Sequence, residues 1–260
     1  MRSVNSYNRI VIKIGSAVLA NSNGVVRHNI LSSISEDIAW LLKNNKEVLI
    51  VSSGAIALGR KKIKLSEMLT LAESQALAAH GQIELMSAWK KHLNKFSIPI
   101  GQILLTPKDT ELKLSSKNAK QTVAKLLEAG CLPIINENDS TATDEIKFGD
   151  NDLLAAKIST LFQADLLIIL SSIDGLYASE ADSKNNKNNG LIKQVPKINA
   201  KIKKMAGQAS DMGKGGMISK IQAAEICFKN NSAMVIASGK NKQPIKNLSG
   251  NGRATWFIKK

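Results

Sequence analysis

The residue with the clearest chemical potential is a lysine inside an apolar segment. Lys13 stands between Ile12 and Ile14, and Gly15 follows. Burying a lysine among isoleucines is costly unless its ammonium group reaches an anion. A glycine after a strand lets backbone N–H groups approach phosphate oxygens closely. The pattern predicts a phosphate-binding turn, and the competing interpretation is that Lys13 extends into solvent from an edge strand.

Two further glycine turns could bind anions. Residues 50–59 read IVSSGAIALG, so a strand would pass through two serines and Gly54 into a helix, presenting N–H groups and a hydroxyl. The same serines could simply cap that helix. Residues 213–220 read GKGGMISK, in which adjacent glycines let the chain wrap a polyanion and Lys220 enters the next helix. Both turns are therefore candidate phosphate sites.

Acidic and amide side chains are concentrated in two neighbouring clusters. Residues 135–139 read INEND after a predicted strand, and residues 148–152 read FGDND before a predicted helix. One hypothesis is metal binding, although the glutamate and glycine positions of a calcium loop do not line up. The other hypothesis is that these carboxylates and amides recognise the ammonium group of an amino acid.

Apolar periodicity predicts the elements that would position these residues. Consecutive apolar positions, expected where both faces of a sheet are covered, predict strands at 10–14, 48–52, 98–105, 132–136, 166–170 and 233–237. Helical spacing predicts helices at 30–42, within 66–96, and at 118–128, 152–162 and 217–228. The alternation predicts an α/β fold in one domain over residues 1–260. We expect a three-layer αβα sandwich with an open, mainly parallel sheet and ligands beyond the carboxyl ends of the strands.

The sequence lacks the motifs of several other site types. It contains no GxxxxGK[ST], HExxH or paired CxxC motif, and His28, His80 and His92 have no evident partners. Cys131 and Cys227 are lone cysteines in apolar stretches, typical of reduced core thiols. No apolar run approaches the roughly 18 residues of a membrane span. We therefore predict a cytoplasmic protein without a membrane segment.

Charge is the one outlying property of the composition. Lysine and arginine total 36 against 21 acidic residues, a net charge of +15. Such an excess could indicate nucleic acid or an anionic membrane surface. However, aromatic residues are only 4% and only five of the basic residues are arginine, the type favoured for phosphate and base recognition. We interpret most of the charge as solvated surface concentrated in residues 184–204, where segment 183–190 is predicted to be an exposed loop.

Five strings of residues carry a family resemblance. VIKIGS, VSSGAIALG, PIINENDSTATDEIKFGDNDLLAA, DGLY and GKGGMISKIQAA occur in this order along nearly the whole chain. Together they resemble the amino acid kinase family, and INEND and FGDND resemble in particular its members that phosphorylate glutamate. The resemblance implies ATP-dependent phosphorylation of the γ-carboxylate of L-glutamate to L-glutamyl 5-phosphate, the first step of proline biosynthesis. It also implies an amino-acid-binding N-terminal lobe of about residues 1–160 and a nucleotide-binding C-terminal lobe of about residues 161–260.

The resemblance assigns roles to individual residues. The residues implied to be catalytic are Lys13, Asp152 and Lys220, with the aspartate holding the two lysines in place. Those implied to bind glutamate are Ser53, Asp139 and Asn151. Those implied to bind ATP are Lys13, Gly15, Ser171, Ser172, Lys214, Gly215, Gly216, Met217, Ile218, Ser219 and Lys220. Further site candidates are Lys147, Gly54, Asn136 and Asp150.

The residue chemistry agrees with a carboxylate acceptor. A glutamate side chain has a reference pKa of about 4.3 and is ionised at neutral pH, so its phosphorylation needs no general base. A hydroxyl acceptor would usually need one. Attack of one anion on another makes charge neutralisation the main catalytic task, which lysines can perform. The absence of an evident histidine base fits this chemistry.

The resemblance also implies partners, and the sequence departs from it in places. Mg²⁺ would bridge the ATP phosphates with little direct protein ligation, so no protein metal site is expected. A homo-oligomer, dimer or tetramer, is implied. Ser171-Ser172 replaces the usual Thr-Asp and Lys214 replaces a common threonine, while the RNA-binding PUA module of many bacterial members is not expected after Lys260. The alternatives are a family member with another carboxylate or nucleotide acceptor, or a basic RNA-binding protein on a degenerate kinase scaffold.

Overall fold

The chain alternates strands and helices along most of its length. A computed structural model describes residues 3–61, 63, 69–141, 151–179, 190–207, 216–250 and 252–259. The strands of this part are β1 (Arg9–Ile14), β2 (Glu47–Ser52), β3 (Ile100–Leu105), β4 (Leu132–Glu137), β5 (Leu166–Ser171), β6 (Gln194–Val195), β7 (Ala233–Ser238) and β8 (Ala254–Phe257). Its α-helices are α1 (Ser16–Leu19), α2 (His28–Lys43), α3 (Ala55–Gly59), α4 (Leu71–Leu93), α5 (Pro107–Glu111), α6 (Lys113–Glu128), α7 (Asn151–Leu161), α8 (Ala200–Met205) and α9 (Met217–Lys229).

The strands form one mainly parallel sheet. Its spatial order is β3-β4-β2-β1-β5-β7-β8-β6. The first six strands in this order are parallel, β8 runs antiparallel to β7, and β6 runs parallel to β8. The predicted parallel sheet and all six predicted strands are confirmed. The sequence analysis missed β6 and β8, which have two and four residues and offer too short an alternation to detect.

Two apolar cores lie on opposite faces of the sheet, so the predicted three-layer αβα sandwich is confirmed. On one face, the β1 residues Ile10, Ile12 and Ile14 pack with α2 and α4. On the other face, Val11 packs with α6, α7 and α9. Successive side chains of a strand point to opposite faces, so Lys13 shares the face of Val11. It is directed towards α7 and α9.

The five predicted helices are present, with ends that differ by a few residues. The helix predicted within residues 66–96 is α4, which begins after a capping box between Thr70 and Glu73. The helix predicted at 118–128 begins five residues earlier, at Lys113. The short helix predicted after Gly54 is α3. The sequence analysis missed α1, α5 and α8, which have four to six residues and bury too little to show helical periodicity.

Helix α3 lies in direct backbone contact with α4. A Cβ atom at Gly81 would lie 1.8 Å from the carbonyl oxygen of Ala55, and one at Gly59 would lie 2.1 Å from the carbonyl oxygen of Leu77. Only glycine permits this approach. The turn before α3 contains Gly54 at φ 111°, a left-handed conformation that also favours glycine. The serine turn predicted to bind an anion is therefore held in place by α4.

Two of the three histidines, which show no evident partners in the sequence, form a pair. His28 Nδ1 lies 3.0 Å from His92 Nε2, and the two rings stack. His92 is buried, and its burial, followed by the neighbouring His28, lowers its pKa below the usual value. The pair joins α2 to α4, two elements distant in sequence, which is why the sequence did not reveal it.

Both cysteines are free thiols, but only Cys227 is buried in the core, whereas Cys131 is partly exposed. Within the described ranges, no helix combines the length and the apolar character that crossing a membrane would need. Residues 183–189 of the predicted exposed loop lie outside the described residues.

Candidate active site

The centre of the site is a buried cluster of one aspartate and two lysines. Lys13 Nζ lies 2.6 Å from Asp152 Oδ1, and Lys220 Nζ lies 2.9 Å from Asp152 Oδ2. The aspartate is fully buried, and each lysine is only 4% exposed. Lys13 lies on a central strand, so the competing interpretation, that it extends from an edge strand into solvent, is wrong. We call these three residues the lysine–aspartate cluster.

Three elements, β1, α7 and α9, bring this cluster together. The second residue of α7 is Asp152, where a carboxylate is favoured by the positive end of the helix dipole. In α9, Lys220 lies in the first turn, where the same dipole disfavours an ammonium group. Asp152 offsets that cost and also separates the two lysines, which would otherwise repel each other. The Ser219 hydroxyl is 3.1 Å from Asp152 Oδ2 and 2.8 Å from the Gly216 carbonyl oxygen, so it connects the carboxylate to the start of α9.

The charges of the lysine–aspartate cluster suit it to binding an anion. Two ammonium groups and one carboxylate carry one excess positive charge in a location with little solvent access. A positive charge in such an environment acts much more strongly on a nearby anion than it would in water. The arrangement can therefore stabilise negative charge that develops on a phosphoryl group during transfer.

The turn after β1 is fixed against β5. The Gly15 N–H donates to the Leu170 carbonyl oxygen at 3.0 Å. A Cβ atom at Gly15 would lie 3.4 Å from that oxygen and 3.9 Å from Lys13 Nζ. The Gly15 N–H is thus engaged within the protein, so this glycine brings the turn close to β5 and the lysine without offering its own N–H to a ligand. Ser171 ends β5, and its carbonyl oxygen accepts from the Gly239 N–H at 2.9 Å.

A chain of amide side chains extends from the cluster to α4. Asn151 precedes Asp152 and donates from Nδ2 to the Ser52 carbonyl oxygen at 3.2 Å and to Asn136 Oδ1 at 2.7 Å. Asn136 in turn donates from Nδ2 to Gln82 Oε1 at 2.7 Å. Asn136 and Asn151 are buried. We call Gln82, Asn136 and Asn151 the amide chain, and it connects α4, β4, β2 and α7.

An acidic cavity of about 480 Å³ opens at the far end of the amide chain. Its apolar wall comes from α4 and from Leu104 of β3. The polar residues that line it are Gln82, Gln102, Glu137, Asn138, Asp139 and Ser140. The cavity lies at the carboxyl ends of β3 and β4, where ligands of parallel sheets are expected.

Two carboxyl groups of the cavity have raised pKa values. Burial raises the pKa of the Asp139 carboxyl to about 6. Burial, and then the nearby charge of Asp139, raise the pKa of the Glu137 carboxyl to about 8. Perturbed carboxyl groups in a cleft are typical of functional sites. A ligand with an ammonium group would favour the ionised form of these carboxyl groups and bind to it.

The structure brings many of the predicted site residues together. The catalytic candidates are in direct contact, and Ser219 and Gly216 adjoin them. Asn151 and Asn136 belong to the amide chain, and Asp139 lines the cavity. The backbone N–H of Ser53 donates to the Ile14 carbonyl oxygen at 3.0 Å, so this serine lies beside the turn after β1. The residues Met217 and Ile218 begin α9, Ser172 follows β5, and Lys147, Asp150, Lys214 and Gly215 lie outside the described residues.

Sequence reasoning missed Gln82 and Glu137. Glu137 lies within the INEND string, where no pattern distinguishes it from the neighbouring polar residues. Gln82 lies on the same stripe of α4 as Ala78 and Met86, at spacings of four residues, and all three line the cavity. A single polar residue in an apolar helical stripe is a signal that could have identified it.

Comparisons with known proteins show which proteins this chain resembles. Residues 8–238 match the model of the amino acid kinase family. The chain is 47% identical over 258 residues to a glutamate 5-kinase from Bradyrhizobium diazoefficiens, covering 98% of this chain and 69% of that protein. It is 49% identical over 255 residues to a glutamate 5-kinase from Nitrobacter hamburgensis, covering 97% of this chain and 67% of that protein.

A solved structure has the same fold. The crystal structure of UMP kinase from Ureaplasma parvum superposes with a TM-score of 0.60 and covers 97% of this chain and 100% of its own, at 16% identity. At that identity the likeness concerns the fold alone. The sheet, the buried lysine–aspartate cluster and the sequence matches together lead to one conclusion: the chain belongs to the amino acid kinase family.

Proposed function

We propose that the protein transfers the γ-phosphoryl group of ATP to the γ-carboxylate of L-glutamate and produces L-glutamyl 5-phosphate and ADP. The observation that carries this proposal is the buried lysine–aspartate cluster in a chain 47% identical to a glutamate 5-kinase. Kinases of this family use ATP, and the acidic cavity fits the ammonium group of an amino acid. This reaction would be the first step of proline biosynthesis.

The transfer requires charge neutralisation more than proton movement. An oxygen of the ionised γ-carboxylate attacks the γ-phosphorus, and the bond from phosphorus to the ADP oxygen breaks. No proton has to be removed from the acceptor. Lys13 and Lys220 would contact the transferred phosphoryl group from two sides, and Asp152 would hold both ammonium groups in position.

The other site residues would bind the two substrates. We infer that glutamate is held by Ser53, Asp139 and Asn151, with Asn136 and Gly54 supporting them. ATP would lie along the turn after β1, the end of β5 and the start of α9, which contain Gly15, Ser171, Ser172, Gly216, Met217, Ile218 and Ser219. Roles for Lys147, Asp150, Lys214 and Gly215 stay predictions, as does a dimer or tetramer.

Magnesium would reach the site with ATP. Both carboxylate oxygens of Asp152 are within 3 Å of a lysine ammonium group, which does not suit them as ligands for a cation. Among the described residues, no group of three or more histidine, cysteine or acidic side chains could hold a metal ion. The residues present therefore fit an ion coordinated mainly by phosphate oxygens and water. When bound there, Mg²⁺ would neutralise phosphate charge during transfer.

A direct assay tests this function. We expect glutamate-dependent ADP release in the presence of Mg-ATP and formation of a hydroxamate when hydroxylamine traps the acyl phosphate. Aspartate and N-acetylglutamate serve as competing acceptors in the same assay. Turnover with either of these and none with glutamate would overturn the proposed substrate.

The affinity for glutamate should depend on pH through Asp139. The pKa of this carboxyl is about 6, and only its ionised form can pair with the substrate ammonium. Affinity should therefore rise as the pH rises through 6, by about tenfold between pH 5 and pH 7. Calorimetric titration with glutamate in the absence of nucleotide measures it. Asp139→Asn should bind weakly at pH 7 and flatten the profile; an unchanged profile in this variant would exclude Asp139 as the titrating group.

A further inference from the structure

The side chain of Asn151 is held by two acceptors. The carbonyl oxygen of Ser52 can only accept, so the group of Asn151 that faces it at 3.2 Å must be Nδ2. The same Nδ2 also donates to Asn136 Oδ1 at 2.7 Å. Asn136 therefore turns its own Nδ2 towards Gln82, which must present Oε1 to it. Every orientation in the amide chain follows from this one carbonyl oxygen of β2.

Helix α4 holds both of these acceptors. Gln82 Oε1 accepts from Asn136 Nδ2 at 2.7 Å, and the indole Nε1 of Trp89 donates to the Ser52 hydroxyl at 3.0 Å. Trp89, Ser52 and Asn136 are all buried. The helix is fixed in turn by its close backbone contact with α3. Helix α4 thus determines where the two acceptors of Asn151 lie.

Loss of the Gln82 acceptor would disturb Asn151 through Asn136. Among the described residues, Gln82 Oε1 is the acceptor that Asn136 Nδ2 uses. A buried donor left without an acceptor is costly. Turning the Asn136 amide over would not remove this cost, because it would place one donor against another at Asn151 Nδ2. The Asn151 side chain would then keep only its contact with Ser52.

We propose that Gln82 is a positioning residue, which orients Asn151 for the amino-acid substrate through Asn136. The inference rests on the proposed function, in which Asn151 binds glutamate. It concerns substrate affinity more than phosphoryl transfer, because the lysine–aspartate cluster is held by its own ion pairs.

The kinetics of Gln82→Met test this role, since methionine is similar in size to glutamine but supplies no comparable acceptor. We expect the KM for glutamate to rise about tenfold, the effect of one lost hydrogen bond. The turnover number and the KM for ATP should stay close to their wild-type values. Gln121→Met, the same change on the exposed surface of α6, is the matched control and should keep wild-type kinetics.

A double-mutant cycle tests whether Gln82 acts through Asn136. In an Asn136→Leu background, the further change Gln82→Met should leave the KM for glutamate unaltered, because the amide that Gln82 holds is already absent. The same rise in KM in both backgrounds would overturn the positioning role.

The outcomes separate this inference from the proposed function. A wild-type protein without glutamate-dependent turnover would contradict the proposed function and, with it, the substrate assigned to Asn151. Wild-type turnover combined with an unchanged KM for glutamate in Gln82→Met would overturn the role of Gln82 alone. Equal rises in the KM for glutamate and the KM for ATP would also overturn it, because they would indicate a purely structural role. If Asn136→Leu does not fold, the comparison of these two KM values in Gln82→Met still decides the question.

Discussion

Replacing Lys220 by alanine should lower kcat by about 10²–10³-fold and leave the KM for glutamate nearly unchanged. Removal of one group that stabilises transition-state charge has an effect of this size. Lys220 Nζ is held at 2.9 Å from Asp152 Oδ2 in a buried position. The ammonium group therefore needs little rearrangement when charge develops on the phosphoryl group. The acidic cavity that would bind the amino acid is formed by other elements, which is why substrate affinity should persist.

Steady-state kinetics of Lys220→Ala, with the hydroxamate assay as the readout, measure this effect. Lys229→Ala is the matched control, because it removes the same charge from the last residue of α9, where the side chain is exposed. Its kinetics should equal those of the wild type. A kcat of Lys220→Ala close to the wild-type value would exclude this lysine from catalysis.

Replacing Asp152 by asparagine should lower the free energy of unfolding by about 3–5 kcal/mol, the range for breaking a buried ion pair. The substitution keeps the size of the side chain but leaves two buried ammonium groups beside a neutral amide. Phosphoryl transfer should also be lost, since neither lysine would be held in its position. Urea denaturation followed by circular dichroism measures the stability.

A double-mutant cycle distinguishes loss of charge pairing from general disruption of α7. In a Lys13→Met background, the Asp152→Asn substitution should cost less than it does in the wild type, because one of the two ammonium groups is absent. Equal costs in both backgrounds would show that Lys13 and Asp152 do not stabilise each other.

The sequence was sufficient for most of the fold because each of the longer elements carries its own signal. The alternation in β1 already separates Val11 and Lys13 from the isoleucines, and the parallel sheet follows from the apolar runs. The partners of Lys13 could not be predicted in this way, because they lie far away in the sequence. Asp152 is 139 positions away, and its arrival at 2.6 Å depends on how α7 packs against β1. Nothing local in either segment specifies that distance, so only the family resemblance anticipated it.

The contacts of the amide chain are even harder to predict from the sequence. Asn136 could be selected from its string, but its contact with Gln82 depends on where α4 crosses the end of β4. That crossing is set partly by the contact of Gly81 with the backbone of Ala55, two small residues that show no chemistry in the sequence. Burial also determines the raised pKa of Glu137, and burial is a property of the assembled elements.

The pairing of β1 with β5 runs through the middle of the sheet and joins the two expected lobes. Five residue pairs form this ladder, from Ile10 opposite Leu166 to Ile14 opposite Leu170. If the chain were divided near residue 160, each fragment would carry an unpaired apolar edge, the kind of surface that promotes aggregation. The same ladder couples the two halves of the sheet. We therefore expect substrate binding to rearrange the turns at the carboxyl edge, while the strands beneath them stay paired.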